Sequence, residues 1–332
     1  MMQIPTTIDF RSLSRSLSIV ALAAVAGTAS PAFGDDPVVA GAGGITEIEE
    51  AILGPGRKPA TPDKKPGDAA AGKEEQSPFH LGFSVDWSTH YLSRGIVTET
   101  GGFILQPAAT FSYDIISNDD IMLSANFGTW NSFHDKKTLS KVGDGFRGSW
   151  YEADYTGGLS AVLGDFTVGL TYGWYNYPNN GATQTEEVIV AATYDDSAVM
   201  GAFSLKPTAL VFIETADGFT DGIGRGVGLQ VGITPGIDLP ISENFKPRLD
   251  LPINAGFSLH DYYQDVATGD DDVFGYFSVG PKLAIPLPFG EGAGDWKLNM
   301  AATFWFLGDN ASKTNNDDKT EVQFTVGVSV SF

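Results

Sequence analysis

Residues 321–332 read EVQFTVGVSVSF, and this stretch decides the fold. Its apolar side chains hold every second position, namely Val322, Phe324, Val326, Val328, Val330 and Phe332. Small and polar residues hold the alternate positions, namely Gln323, Thr325, Gly327, Ser329 and Ser331. Because successive side chains of a strand point to opposite faces, one face is apolar and the other polar. This pattern is typical of a transmembrane β-barrel strand, with lipid on one side and a wet lumen on the other.

The same alternation returns along most of the chain from residue 79 onward. It predicts about twelve strands, near residues 80–96, 102–116, 120–132, 148–163, 166–177, 185–195, 202–215, 225–236, 246–258, 272–286, 295–307 and 321–332. Most of them exceed the roughly 9–11 residues that a tilted strand needs to cross a bilayer. Pro207, Pro252 and Pro281 fall inside these runs and weaken the ladder there. The predicted fold class is all-β: a transmembrane antiparallel up-and-down β-barrel of about twelve strands.

Loop lengths and aromatic residues support this prediction against the alternative, a secreted β-sandwich. The longest polar connections follow odd-numbered strands, as expected when long loops are external and short turns are periplasmic. Aromatic residues of outward parity are expected to form girdles at the membrane interfaces. They are Trp87, Tyr91, Tyr151, Tyr155, Tyr172, Trp174, Trp296 and Phe332.

The first 78 residues differ from the rest in composition. Residues 1–34 combine Arg11 and Arg15 with a short apolar run and a small-residue cleavage site, which predicts a secretory signal peptide. Residues 35–78 are rich in Pro, Gly and charge, which predicts a disordered periplasmic linker. The barrel is then expected over residues 79–332, in the bacterial outer membrane.

Composition limits the partners and the chemistry. The formal net charge of −21 makes nucleic acid a poor partner. The chain has no Cys, so it contains neither disulfides nor a lipoprotein anchor. The expected partners are outer-membrane lipids, small solutes and the outer-membrane assembly machinery, and no cofactor is expected. The strand ending in Val328, Val330 and Phe332 resembles the C-terminal signal that this machinery reads.

Several short motifs in order resemble a family of uncharacterised bacterial outer-membrane proteins. Its members open with an S-x-Y-x-x-R-G-like strand, matched here by Ser88 or Thr89, Tyr91, Arg94 and Gly95. A G-x-W-x-S-like strand end is matched by residues 128–132, and a Y-x-Y-P ending by residues 175–178. The resemblance covers about residues 83–195 and implies location and fold rather than an activity.

Charged residues on the predicted lumen face are the candidate site. The constriction candidates are Asp86, His90, Arg94, Glu152, Asp154, Arg248, Asp250 and Lys282, and Glu187, His260 and Lys297 share their parity. One interpretation is that opposite charges pair across a narrow lumen, because an unpaired charge in a partly desolvated interior is costly. The other is that Arg94, Arg248 and nearby carboxylates form an electrostatic filter.

Three functions follow from this pattern. The favoured function is a narrow porin-like channel for small solutes. The second is a non-conducting barrel that anchors or interacts, and the third is a lipid-modifying enzyme. No Ser–His arrangement is evident around His90 or His260, so no catalytic residue is assigned. Acidic runs at residues 270–272 and 315–318 lack the spacing of a calcium loop, so no metal is assigned either.

Overall fold

We describe residues 77–118, 120–143, 145–216, 223–242, 245–289 and 292–332 of a computed structural model of the chain. The predicted signal peptide and all but the last two residues of the predicted linker lie outside these ranges. No helix within the described ranges is long and apolar enough to cross a membrane.

Nearly all of the regular structure is strand. The strands are β1 (Phe79–Ser88), β2 (Tyr91–Ser93), β3 (Ile96–Glu99), β4 (Ile104–Ser117), β5 (Met122–His134), β6 (Trp150–Leu163), β7 (Phe166–Asn176), β8 (Thr185–Tyr194), β9 (Thr208–Glu214), β10 (Val227–Ile233), β11 (Gly236–Asp238), β12 (Arg248–Asp250), β13 (Ile253–His260), β14 (Phe274–Val279), β15 (Lys282–Leu287), β16 (Asp295–Leu307) and β17 (Thr320–Ser331). The helices are α1 (Phe146–Ser149), α2 (Ser197–Met200) and α3 (Asp309–Ser312), with 3₁₀ turns at Gly201–Phe203 and Lys313–Asn315.

The strands form a closed antiparallel barrel with twelve crossings. Each crossing pairs with its neighbours in sequence, and β17 closes the ring by pairing with β1 from Gly82↔Ser331 to Ser88↔Thr325. The predicted fold class and strand number are therefore confirmed. Among the described barrel strands, closure gives each strand partners on both sides except β11, which pairs with β12 alone. A bilayer favours such closure because it offers no water to unpaired backbone groups.

Three of the twelve crossings are broken by proline. β10 and β11 are two segments of one crossing, and so are β12 and β13, and β14 and β15. The segments of each crossing are hydrogen-bonded to the neighbouring crossings and not to each other. The breaks fall at Pro235, Pro252 and Pro281, which have no N–H to donate to the ladder. Each proline carbonyl still accepts a bond from the next crossing, namely from Leu251, Gly280 and Ala302. The barrel therefore stays closed at every break.

The two faces of the barrel follow the alternation seen in the sequence. On β17, Phe324 and Val326 are exposed, whereas Gln323 and Thr325 are buried inside. The same exposed apolar rows cover β1, β4, β7 and β16. An apolar exterior around a polar interior is the solvent arrangement of a membrane-spanning barrel.

The chain termini define the two ends of the barrel. Phe79 and Phe332 lie at the end that we call the termini end, where short connections also join β4 to β5 and β6 to β7. The opposite end, the loop end, carries the longer connections after β1, β5, β9, β13 and β16. The predicted strand over residues 202–215 begins later than expected, because residues 201–203 form a 3₁₀ turn and β9 begins only after Pro207.

The first predicted strand, residues 80–96, is wrong beyond Ser88. The Ser88 hydroxyl donates to the carbonyl of His90 at 2.7 Å, and the Gln323 amide donates to the same carbonyl at 3.1 Å. These bonds turn the chain inward, where β2 and β3 form a separate two-stranded hairpin.

The predicted aromatic girdle is wrong at two positions. Tyr91 and Tyr151 are buried, and their rings lie 5.8 Å apart. Tyr155, Tyr172 and Trp174 are exposed on the outer face, as predicted. The prediction fails at Tyr91 because β1 ends at Ser88. The alternation of inward and outward side chains therefore does not continue across residues 89 and 90.

Candidate functional site in the barrel lumen

A hairpin lies inside the loop end of the barrel. This inserted hairpin consists of β2, the turn residues Arg94 and Gly95, and β3. Both turn residues have positive φ, 48° and 82°, as a two-residue type I′ turn requires. Gly95 is required for space as well, because a Cβ there would lie 2.8 Å from the Cβ of Tyr276 on the barrel wall.

Arg94 anchors the tip of the inserted hairpin to one side of the barrel. Its two terminal nitrogens donate to the two carboxylate oxygens of Glu187 at 2.7 and 2.6 Å. One of them also donates to the Tyr262 hydroxyl at 2.9 Å, and the guanidinium lies 4.0 Å from the ring centre of Phe212. Because the Arg94–Glu187 ion pair is bidentate and fully buried, and the guanidinium also contacts the Phe212 ring, these contacts fix the orientation of the guanidinium as well as neutralising its charge.

Two tyrosines of the connection after β13 complete this anchor. The Tyr263 hydroxyl donates to the Arg94 carbonyl at 3.0 Å. Burial raises the pKa of Tyr262 well above its ordinary value, and the adjacent Arg94 cation only partly opposes this. Tyr262 therefore stays neutral and accepts from Arg94, so the hairpin tip is held by loop and wall together.

Tyr91 anchors the other side of the inserted hairpin. Its hydroxyl donates to the Glu152 carboxylate of β6 at 2.6 Å. Its ring stacks on Trp130 of β5 at 5.8 Å and meets His134 edge-on at 5.5 Å. Arg94 contacts β8 and β9, and Tyr91 contacts β5 and β6. Because Gly95 also lies against Tyr276 of β14, the inserted hairpin reaches across the lumen.

Apolar packing fills the space around the inserted hairpin. Leu92 and Val97 belong to a buried cluster with Ile189, Ala191, Leu210, Phe212, Tyr262, Tyr263, Tyr276, Trp305, Leu307 and Ala311. The Val97 N–H also donates to the Thr314 hydroxyl at 3.0 Å. These apolar residues pack around the hairpin at the loop end, beside the polar anchors of Arg94 and Tyr91.

A buried polar chain ties the end of β3 to β5. The Ser132 hydroxyl lies 2.8 Å from Nε2 of His134, Nδ1 of His134 lies 2.7 Å from the Thr138 hydroxyl, and Thr138 donates to Glu99 at 2.7 Å. Because Thr138 gives its proton to Glu99, Nδ1 must carry the histidine proton and Ser132 must donate to Nε2. The order resembles a nucleophile, base and orienting group.

This chain bears on the enzyme alternative. The sequence analysis considered His90 and His260 for catalysis and did not pair Ser132 with His134. Ser132 is 0% exposed and bonds to His134, on which the Tyr151 ring stacks, so no acyl substrate reaches its hydroxyl in this structure. The Ser132–His134 pair therefore acts here as a structural tie.

The structure places most of the predicted lumen residues inside the barrel. Asp86, Glu152, Asp154, Asp250 and Lys282 are buried on inward-facing strand positions. Arg94 is buried too, but on the inserted hairpin rather than on the wall. His90 lies beside Glu321 at 3.4 Å at the loop end, and His260 is 71% exposed there rather than lining the lumen.

Arg94 and Arg248 do not face each other. Arg94 pairs with Glu187 near the loop end of β8, whereas Arg248 begins β12 at the termini end. Arg248 there contacts Asp250 at 2.9 Å and the exposed Asp238 at 3.1 Å. A single filter containing both arginines, as expected from parity, is therefore excluded by their positions.

The acidic runs considered for calcium form no metal site within the described part of the chain, where no three Asp, Glu or His side chains are placed to hold an ion. Asp271 instead accepts from Ser258 at 2.6 Å and from two backbone N–H groups. Its role is to shape the connection after β13.

The three residues of the assembly-signal resemblance lie at the termini end. Phe332 and Val328 face outward and are exposed, whereas Val330 is only 7% exposed. Gly294 approaches the side chains of Val330 and Phe332, so the connection before β16 covers this position.

Several residues of the site had no signal in the sequence. Phe212, Tyr262 and Tyr263 could be read only as strand or loop aromatics until the structure showed them around the inserted hairpin. The only local hint was the Arg94–Gly95 pair, a two-residue turn within an otherwise continuous alternation.

Comparisons with known proteins describe the fold alone. No protein-family model and no curated protein matches the chain. Similar solved structures include an outer membrane channel from Pseudomonas putida F1, with 14% identity, 81% of this chain and 100% of that chain covered, and a TM-score of 0.43. The KdgM porin has 7% identity, 76% and 99% coverage and a TM-score of 0.37. The NalP translocator domain from Neisseria meningitidis has 13% identity, 78% and 89% coverage and a TM-score of 0.33. At these values no solute, partner or activity is transferred to this chain.

Proposed function

We propose that the protein is a narrow porin-like channel of the bacterial outer membrane for small solutes. The observation that carries this proposal is a closed barrel with an apolar exterior whose lumen is lined, on the termini side of the inserted hairpin, by polar side chains. They include Ser112, Ser124, Asn126, Thr171, Thr193, Thr208, Asn299 and Thr325.

The strand number supports a narrow passage. About eight strands enclose a lumen that side chains fill, whereas 16–18 strands leave a wide aqueous channel. Twelve crossings lie between these limits, and the inserted hairpin takes up part of the loop end. Solutes of small size are therefore the proposed cargo.

Location follows from the predicted signal peptide together with the barrel. Closed barrels with aromatic girdles are the spanning structures of bacterial outer membranes. We propose insertion by the outer-membrane assembly machinery through β17, whose outward Phe332 and Val328 present the apolar end of the strand. Outer-membrane lipids then contact the apolar rows of the exterior.

Single-channel recording tests the proposal. The full chain, refolded and inserted into a planar bilayer, is expected to give steady unitary currents in KCl. Folding is checked first by heat-modifiable migration in gels and by the β-type circular dichroism spectrum. A folded, inserted protein without current would refute the channel.

One observation favours the alternative, a non-conducting barrel that anchors or interacts. The inserted hairpin bonds to both sides of the lumen and is packed in a buried cluster with twelve members. If the folded, inserted full chain passes no current, this alternative replaces the channel.

A further inference from the structure

The connection after β5 carries a local excess of positive charge. Residues 136–147 hold four of the chain's 20 Lys and Arg residues and one of its 41 Asp and Glu residues. Lys136 is paired with Glu99 of the inserted hairpin at 3.3 Å. Lys141 and Arg147 are exposed at the loop end. In a chain whose net charge is −21, such a stretch is suited to an anionic partner.

The connection after β7 holds Lys141 and Arg147 side by side. The Lys141 N–H donates to the Asn179 carbonyl at 3.0 Å. Nε of Arg147 donates to the neighbouring Pro178 carbonyl at 2.7 Å, and its guanidinium lies 3.5 Å from the side-chain oxygen of Asn180. These oxygens are neutral and belong to consecutive residues, whose Cα atoms are about 3.8 Å apart. Both cations are therefore placed within reach of one anion, and these contacts do not neutralise their charge.

Phe146 of α1 adds an apolar side chain next to Arg147. It is 71% exposed, although its ring centre lies 5.3 Å from that of Phe133 and 6.0 Å from that of Trp150. Phe133 and Trp150 are opposite each other on β5 and β6, and Phe133 faces outward because Ser132 beside it is buried inside. Phe146 therefore lies against the outer face of the barrel, where it presents its ring to the surroundings.

The rim patch, which consists of Lys141, Phe146 and Arg147, lies at the level of lipid headgroups. β6 runs from Trp150 at the loop end to Leu163 at the termini end over 14 residues. At about 3.3 Å per residue and a tilt of about 40°, Trp150 lies about 33 Å above the termini end. The apolar band of an outer-membrane barrel is about 25 Å tall, and headgroups lie beyond it on each side. Phe146, in contact with Trp150, therefore lies just outside the apolar band.

Position, charge and apolar character together indicate one class of partner. We propose that the rim patch binds the phosphomonoester headgroup of a membrane lipid at the loop end. Lys141 and Arg147 donate to the phosphate oxygens through charge-assisted hydrogen bonds, and two cations match the charge of about −1.5 to −2 on a phosphomonoester. Phe146 packs against the apolar part of the same lipid, as aromatic side chains do at membrane interfaces. This inference rests on the proposed outer-membrane location, which brings a lipid surface to the rim patch.

Lipid retention in native mass spectrometry tests this inference. The refolded full chain in detergent micelles receives equal amounts of phosphatidic acid, a phosphomonoester lipid, and phosphatidylcholine, whose headgroup has no net charge. Phosphatidic acid is expected to bind at least about ten-fold more tightly. Equal retention of the two lipids, or retention of neither, would overturn the headgroup site. Inorganic phosphate at millimolar concentration is expected to leave lipid retention unchanged, and displacement by it would overturn the lipid as the partner.

Two double variants locate the binding. Lys141→Gln with Arg147→Gln is expected to weaken binding of phosphatidic acid at least about ten-fold, from about five-fold for each cation near a lipid surface. The matched control, Lys313→Gln with Lys319→Gln, removes the same charge from the loop end. Those two cations already pair with carboxylates, so the control is expected to retain the lipid. An equal loss in both double variants would show a general attraction of anions and would overturn the site.

The variant Phe146→Ser separates lipid contact from attraction of the phosphate alone. Both cations remain, and binding of phosphatidic acid is expected to fall several-fold because apolar contact is lost. Unchanged binding would leave only an ion site and would overturn the lipid contact. Retention of phosphatidic acid by a folded barrel that passes no current would keep the rim patch and refute the channel. Current from a barrel that does not prefer phosphatidic acid would keep the channel and refute the rim patch.

Discussion

At the scale of single residues, Arg94 carries the most concentrated set of interactions in the lumen. Its guanidinium combines a bidentate ion pair, a phenol contact and an aromatic face within a fully buried site. Burying both charges is itself costly, so the pair adds specificity more than net stability. It fixes which way the inserted hairpin enters and how deep its tip sits.

Replacing Arg94 alone is expected to be strongly destabilising. Arg94→Met leaves the Glu187 carboxylate buried without its cation, which typically costs about 3–5 kcal/mol. The double variant Arg94→Met with Glu187→Leu is expected to recover most of this loss, because no charge then remains buried. Urea unfolding of the refolded barrel, followed by tryptophan fluorescence, measures both changes.

The matched control is Lys319→Met. Lys319 pairs with Asp309, but these side chains are 59 and 76% exposed, so the loss is expected to stay below about 1 kcal/mol. An Arg94→Met variant as stable as this control would contradict the role given to the buried pair.

At the scale of elements, the inserted hairpin differs from the barrel strands in how it is held. β1 and β4 are stabilised by continuous ladders to their neighbours. β2 and β3 pair only with each other, and side chains connect them to the wall. An element held by side chains can be removed without breaking the ring of strands.

Removing the inserted hairpin is expected to widen the passage. Replacing Tyr91–Glu99 by a short Gly/Ser linker empties the loop end, because Tyr91, Leu92, Arg94 and Val97 leave the lumen together. Unitary conductance in planar bilayers is expected to rise several-fold relative to the full chain. The control replaces Ser197–Met200, at the termini end, by Gly/Ser residues and is expected to leave conductance unchanged. Equal conductance in both variants would contradict a constriction at the hairpin.

At the scale of the whole molecule, the interior of the barrel is acidic. Seven carboxylates are buried on the described barrel strands, namely Asp86, Asp114, Glu152, Asp154, Glu187, Glu214 and Asp250. The buried cations of the described lumen are Arg94 and Lys282. A lumen lined mainly by one sign of charge favours passage of the opposite sign.

The channel is therefore expected to prefer cations over anions. In a KCl gradient, the reversal potential is expected to have the sign of K⁺ selectivity. Asp250→Asn, which releases Arg248 from one carboxylate, is expected to move the reversal potential toward anions. Asp309→Asn is the control, because its exposed side chain lies outside the lumen. A reversal potential of anion sign in the unmodified protein would contradict the prediction.

The sequence predicted the barrel because its evidence is local. A period of two needs only neighbouring residues, so Val322 to Phe332 reveals both a lipid face and a lumen face. The sequence also predicted weak ladders at Pro252 and Pro281, where the structure interrupts the strands. A proline lacks the N–H that a ladder needs, and this can be read from the residue alone. The inward parity of Asp86, Glu152, Asp154 and Asp250 followed in the same way.

What the sequence determined by itself is therefore the number of crossings, the fold class and the side of the wall on which most residues lie. Only the tertiary structure decided that residues 91–99 leave the wall and enter the lumen. Arg94 meets Glu187 across 93 positions and Tyr262 across 168, and no local pattern encodes such distances. Alternation is set by the geometry of one strand, whereas insertion of the hairpin is set by contacts with side chains from six strands and two connections. That long-range pairing placed the hairpin inside the loop end of the lumen and stacked Tyr91 on Trp130.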